Sequence, residues 1–328
     1  INLIALVLLL IPGAVLTENN DGYLSREDVS DFIEDMNVKH GFNKDELIEL
    51  ISGSKFQPRV IRIMDRQPEG TMTWTRYKKI MVTDARIESG KKFITEHKET
   101  LVRAEDLYGV PAPIIASIIG IETRYGKIQG NIRVLDSLMT LSFDYPRRAS
   151  FFKTQLEEFL LLCREEGLSV ETIKGSIAGA MGYGQFMPSS YRSYAIDFDG
   201  DEKADIWNNP VDAIGSVANY FKAHGWTEGD PVIVAANATA AIPEEMMSRG
   251  RNLKPRFSVA EFTAAGLEPT MQTDPEAEAI GIEFELADGM EYWLGLHNFY
   301  VITRYNHSAM YAMSVYQLSQ RIAAGVSP

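Results

Sequence analysis

Pro111-Ala112-Pro113-Ile114-Ile115-Ala116-Ser117-Ile118-Ile119-Gly120-Ile121-Glu122-Thr123-Arg124-Tyr125-Gly126 is the stretch on which the fold turns. The prolines open a helix and Gly126 closes it; between them Ile115, Ile118, Ile119 and Glu122 stand at i, i+3, i+4 and i+7, on one face. A carboxylate therefore ends an apolar stripe. Burial and the negative C-terminal end of the helix dipole both disfavour its charged form, which suits a general acid that must hold a proton near neutral pH. The same spacing is compatible with a buried ion pair between Glu122 and Arg124, Arg147 or Arg148.

Helical periodicity continues on both sides. Upstream, Ser25-Arg26-Glu27-Asp28 reads as a capping box ahead of Val29, Phe32, Ile33 and Met36, a second helix is predicted from about Asn43, and a long helical region is predicted from about Thr73 through Leu107, after loops at Pro58 and Pro68. Downstream, two loops interrupt the helices, Gly175 to Pro188 and Asp197 to Pro210; loops of that length in a helical domain are usually functional or metal-bound. After Gly225 the period changes. Val232-Ile233-Val234 and the alternation of Ile280, Ile282, Phe284 and Leu286, turned at Asp288-Gly289 towards Tyr292-Trp293-Leu294, predict strands and a hairpin. Ser308 to Ala324 is predicted as a closing helix. The fold class is thus mainly α, of α+β type: an apolar segment over 1–16, a helical domain over 17–110, a core over 111–225, a small β-containing insert over 226–296, and a segment over 297–328 that returns to the core.

The chain has 328 residues, 45% hydrophobic and 23% charged, enough for one large or two to three small domains. Its net charge of -13 and the lack of Lys/Arg clusters argue against nucleic acid, whose phosphates such clusters must neutralise. The single cysteine, Cys163, excludes an intramolecular disulfide and falls on the apolar face of a helical run, as a structural thiol would. Ile1 to Leu16 has the character of the core of an export signal; an uncleaved membrane anchor is the alternative. The glycines at 179, 182 and 184 fit no dinucleotide or phosphate-loop fingerprint.

Asp197-Phe198-Asp199-Gly200-Asp201-Glu202-Lys203-Ala204-Asp205 sets carboxylates at positions 1, 3, 5 and 9 of an EF-hand-like loop, with the Lys203 carbonyl at position 7. Hard oxygen donors at alternating positions suit Ca2+. Glu202 stands where such loops carry glycine and Asn208 where they carry glutamate, so a solvated acidic turn stays open as the alternative.

Ile119-Gly120-Ile121-Glu122-Thr123-Arg124-Tyr125-Gly126 is followed by Leu135-Asp136-Ser137-Leu138, Asp144-Tyr145-Pro146-Arg147-Arg148, Gly179-Ala180-Met181-Gly182-Tyr183-Gly184-Gln185-Phe186-Met187-Pro188-Ser189-Ser190-Tyr191, Val211-Asp212-Ala213-Ile214-Gly215-Ser216-Val217-Ala218-Asn219-Tyr220 and Thr303-Arg304-Tyr305-Asn306-His307-Ser308. In content and order these segments resemble the lytic murein transglycosylase B family, a branch of the lysozyme-like superfamily, from about Thr73 to the C-terminus.

The resemblance implies a lysozyme-like catalytic core and an enzyme that cuts the β-1,4 bond between N-acetylmuramic acid and N-acetylglucosamine without consuming water. Glu122 would first protonate the leaving oxygen and then deprotonate the muramic C6 hydroxyl, closing a 1,6-anhydro ring. Ordinary glycosidases need a second carboxylate; Asp136 and Asp144 are open to that role, the simpler reading making them structural. By the same resemblance Ser176 and Gln185 would hydrogen-bond substrate, while Tyr220, Tyr305, Asn306 and Tyr311 would line the cleft. Tyr77 and Phe186 would stack on sugar faces, and Arg147 and Arg148 would meet peptide or lactyl carboxylates. Asp212 would join Asp197, Asp199, Asp201 and Lys203 around a structural Ca2+, with no cofactor for catalysis. The implied setting is a monomeric, exported, periplasmic enzyme on peptidoglycan glycan strands, with peripheral membrane or cell-wall enzyme association and, if Ile1 to Leu16 is an anchor, membrane attachment through the N-terminus. A hydrolytic muramidase and a non-catalytic peptidoglycan-binding scaffold are the alternatives, and the retention of Glu122 speaks against the scaffold.

Overall fold

Residues 22–65, 72–248 and 252–325, the described part of the computed structural model, contain fourteen α-helices and seven strands. The apolar segment over 1–16 and Pro68 lie outside the described residues. The chain forms two compact units, Ile1–Ser54 and Lys55–Pro328.

In the first unit α1 (Glu27–His40) buries Val29, Phe32, Ile33 and Met36, and α2 (Lys44–Ser52) buries Leu47 and Ile51. Asn43 caps α2 by accepting from the amides of Asp45 and Glu46 at 2.8 and 3.3 Å. The expected capping box at Ser25 does not form. Tyr23–Ser25 winds into a 3-10 turn closed by Arg26 N to Tyr23 O, so the Ser25 hydroxyl turns back to Gly22 O and Arg26 begins the helix.

In the second unit Pro58 opens α3 (Pro58–Met64) rather than a loop, because the first helical position needs no N–H. The long helix predicted from Thr73 is three: α4 (Trp74–Met81), α5 (Asp84–Glu96) and α6 (Lys98–Tyr108). Thr83 supplies a side-chain cap to the Arg86 amide and restarts the chain, which periodicity alone does not register. Next comes α7 (Ala112–Thr123), with α5, α6 and two later helices packed around it. Ile114, Ala116 and Ser117 are buried along with Ile115, Ile118 and Ile119, so α7 is enclosed on more than the single predicted face.

A two-residue ribbon, β1 (Ile132–Arg133) with β2 (Lys174–Gly175), brackets α8 (Val134–Phe143) and α9 (Ala149–Glu165). Cys163 on α9 is buried, and burial pushes its thiol up to about 12, as expected of a structural residue. Asp136 accepts from the Arg133 guanidinium at 2.6 and 3.1 Å, from Lys55 N at 2.9 Å and from Gln57 Nε2 at 3.4 Å. A carboxylate held by so many donors is a structural pin.

α10 (Pro188–Tyr194) and α11 (Pro210–Ala223) flank the acidic loop. β3 (Ile233–Ala238), β4 (Phe257–Ser258), α12 (Val259–Ala264), β5 (Leu267–Pro269), β6 (Glu278–Leu286) and β7 (Gly289–Gly295) then build an antiparallel sheet ordered β4-β6-β7-β3-β5. Leu286 pairs with Gly289, which puts Ala287-Asp288 at the hairpin tip, one residue before the predicted turn. Phe262 of α12 packs with Leu267, Ala279 and Leu294 in a small core of its own, and Phe284 of β6 stacks on Trp74 of α4, ring centroids 4.8 Å apart. α13 (His297–Tyr305) and α14 (Ala309–Ala323), the latter capped by Ser308, bring the chain back against α7.

Candidate active site

The chain leaves α7 by an unusual route. Arg124, Tyr125 and Gly126 all have positive φ, 52°, 60° and 82°, which turns the backbone sharply just past Glu122. Thr123 holds the turn: its hydroxyl accepts from Gly126 N at 2.9 Å and lies 2.9 Å from the Tyr183 carbonyl. A Cβ on Gly126 would come within 2.2 Å of the Tyr183 ring, so the glycine is required by both φ and space. From the other side Arg86 of α5 donates to Gly120 O of α7 at 3.0 Å and to Ile80 O and Met81 O at the end of α4. The helix carrying Tyr77 and the helix carrying Glu122 are thereby fixed to each other.

Glu122 itself is half-buried, and the Tyr311 hydroxyl of α14 donates to its Oε1 at 2.5 Å. Burial first, and the neighbouring Glu122 carboxylate second, push the Tyr311 phenol well above its ordinary range, so Tyr311 stays a donor. Tyr305 is shifted in the same direction by the same two causes, and its hydroxyl donates to Gly184 O at 2.6 Å. Tyr220 donates to Arg304 O at 2.7 Å and meets the Tyr305 ring edge-on at 4.7 Å; Phe186 lies 5.8 and 6.0 Å from those two rings. Tyr77 and Phe186 are each 3% exposed, so their rings pack inward and present no open stacking face.

The Gly175 to Pro188 loop carries two more of the expected residues. Ser176 Oγ accepts from the Ala178 and Ala180 amides at 3.3 and 3.1 Å, and Gln185 adopts φ +52° with its side chain against Gln129 O and Gly182 O. Asn306 ends α13, its carbonyl accepting from Ser308 N at 2.7 Å. Arg147 is exposed and 3.6 Å from Asp65, while the Arg148 guanidinium lies 4.3 Å from the centre of the Phe151 ring.

In the acidic loop, carboxylate oxygens of Asp197, Asp199, Asp201 and Asp212 lie within 4.8 Å of one another. Asp197 folds the loop by accepting from the amides of Gly200, Asp201 and Glu202; buried Asp212 accepts from Phe198 N and Asp205 N. Lys203 contributes its amide to Asp201, and its carbonyl is the expected fifth donor. Asp205 turns inward to cap Trp207 N and Asn208 N, both at 2.9 Å. Converging carboxylates fit a hard divalent cation.

Arg86, Thr123, Gln129 and Asn209 also shape the site without standing out in the sequence; the Asn209 amide donates to Asp199 at 2.7 Å and Asp212 at 3.1 Å. Only Asn209, an N-cap before Pro210, carried a local signal.

The transglycosylase SLT domain family matches residues 25–320. The membrane-bound lytic murein transglycosylase B of Escherichia coli (strain K12) is 45% identical over 325 residues, 96% of this chain and 88% of that protein. The crystal structure of the soluble lytic transglycosylase SltB1 from Pseudomonas aeruginosa matches with a TM-score of 0.85 at 46% identity, over 90% of this chain and 98% of that one. The Escherichia coli lytic transglycosylase Slt35 in complex with calcium matches with a TM-score of 0.84 at 47% identity, over 92% and 95%. The chain belongs to the transglycosylase SLT domain family. More narrowly it is an enzyme, a lytic transglycosylase of the lytic murein transglycosylase B type, with the mainly α, lysozyme-like fold of that group.

Proposed function

We propose that this enzyme cleaves the β-1,4 bond between N-acetylmuramic acid and N-acetylglucosamine in peptidoglycan, with Glu122 as acid and then as base. The observation that carries the assignment is the Tyr311 hydroxyl bonded to Glu122 Oε1 at 2.5 Å. That donor fixes the orientation of the carboxyl group, which carries the transferable proton. In the first step Glu122 gives this proton to the glycosidic oxygen as the C1–O bond breaks. In the second, the C6 hydroxyl oxygen attacks C1 and its proton returns to Glu122, closing a 1,6-anhydro ring. Atoms balance without water, and no second carboxylate is needed; the engagement of Asp136 by Arg133, Lys55 and Gln57 supports that economy.

Ser176, Gln185, Tyr220, Tyr305, Asn306 and Tyr311 then line the cleft, with Tyr77 and Phe186 behind them. Arg147 and Arg148 are suited to the carboxylates of the peptide and lactyl groups. The four gathered aspartates and the Lys203 carbonyl hold Ca2+ as a structural ion, a reading supported by the calcium complex of Slt35. The ion would neutralise the mutual repulsion of the carboxylates and order the loop. An exported enzyme working as a monomer on the wall, associated with the membrane through its N-terminus, fits a relative named as membrane-bound.

Mass spectrometry of a digest of purified wall tests the reaction. Muropeptides ending in anhydro-muramic acid, one water lighter than reducing ends, are expected; reducing ends alone would mean a hydrolytic muramidase.

A further inference from the structure

The amide nitrogen of Gln185 faces two backbone carbonyls, Gln129 O at 3.2 Å and Gly182 O at 3.0 Å. Carbonyls only accept, so chemistry dictates which end of the amide points at them. Both N–H bonds are committed to the protein, and Oε1 is left to accept from a ligand. The backbone of Gln185 is in the left-handed region, φ +52°, a conformation that persists only where its surroundings impose it.

Gln129 repeats the arrangement one step further out. Its Nε2 donates to Trp207 O at 2.9 Å and to Gly126 O at 3.3 Å. Trp207 follows directly on the acidic loop, where Asp205 Oδ1 holds its amide and Asp212 Oδ2 holds the amide of Asp205. A second strap runs alongside: Tyr183 N donates to Ile206 O at 2.9 Å, and Gly182 lies so close to Ile206 that a Cβ would come within 2.5 Å of that carbonyl. The Gln129 side chain is therefore where the exit of α7, the Gln185 loop and the end of the acidic loop are joined.

We infer that Gln129 is a positioning residue. By holding the 126–130 segment to Trp207 it sets the carbonyl that orients Gln185, so that Gln185 presents an acceptor to a hydroxyl or acetamido N–H of the glycan. The inference rests on the reading that Gln185 meets substrate.

Steady-state kinetics on soluble, purified glycan strands test it, with thermal melting recorded for each variant. Gln129→Ala should raise KM roughly fivefold, the worth of one neutral hydrogen bond, with kcat within about twofold of wild type. Gln129→Glu keeps the length but offers no donor to Trp207 O, so it should raise KM as much. The Gln129→Ala/Gln185→Ala double variant should be no worse than Gln185→Ala alone, because the first residue acts through the second. Additive losses in the double variant, or a wild-type KM in Gln129→Glu, would overturn the inference. If Gln129→Ala melts below the assay temperature, Gln185→Glu serves instead: its carboxylate cannot face two carbonyls, and a wild-type KM would again overturn the inference. A Gln185→Ala variant with unchanged kinetics would instead remove Gln185 from the substrate site and take the inference with it.

Discussion

Tyr311 donates its hydroxyl hydrogen to Glu122 Oε1 at 2.5 Å across 189 residues of sequence. The bond aims the carboxyl. Hydrogen bonds to charged groups contribute about 1.5–3 kcal/mol, so Tyr311→Phe is expected to lower kcat between roughly tenfold and a hundredfold. Turnover of purified wall checks it, and an unchanged rate would separate Tyr311 from the chemistry.

Glu122→Gln keeps the side-chain shape and the acceptor for Tyr311 but has no proton to cycle. Cleavage should vanish while glycan binding, followed by sedimentation with insoluble wall, persists. Retention of most of the activity would mean that another group is the acid.

Gly126→Ala should destabilise the protein and displace the Tyr183 loop together. The new methyl meets the Tyr183 ring at 2.2 Å, on a backbone with φ +82° that alanine disfavours. Overpacking and the φ penalty together are of order 2–4 kcal/mol, or several degrees in melting temperature by calorimetry.

Calcium should raise the melting temperature, because an ion bound only by the folded loop adds about 2.7 kcal/mol at a hundred times its dissociation constant. Asp212→Asn, at a buried position that anchors Phe198 N and Asp205 N, should abolish the shift. A melting temperature indifferent to calcium and to chelator in the wild type would argue for a solvated acidic turn.

His224 gives the fold a pH dependence. Burial lowers its pKa below the ordinary 6.5; the hydrogen bond with Tyr220 O opposes that, and Arg304 adds to it. The unfolded chain therefore takes up the proton more readily than the folded one. Stability should be full above about pH 6.5 and fall as pH drops from there through the folded pKa. Melting curves of wild type and His224→Gln across that window should converge at the acid end as the wild type loses its advantage; parallel curves would dismiss the effect.

Local rules of chain geometry made some features readable and misread others. A serine followed three residues later by an acidic residue forms a capping box at Ser258 and Glu261 and none at Ser25 and Asp28. The difference is the 3-10 turn at Tyr23–Ser25, which uses Ser25 before the helix begins. Likewise the break between α4 and α5 is marked by the Thr83 cap and by the ties of Arg86 to α4 and α7 rather than by helical periodicity.

The sequence by itself determined a carboxylate at the end of an apolar helix, an acidic loop with alternating oxygen donors, and a change from helical to strand period after Gly225. Each follows from side chains within one or two turns of one another, where spacing alone sets the geometry. The tertiary structure decided which groups meet Glu122 and what holds Gln185, because those partners lie 189 and 56 residues away along the chain. The contact of Tyr311 with Glu122 exists only when α7 and α14 pack on each other, a free energy summed over many side chains and absent from any local pattern.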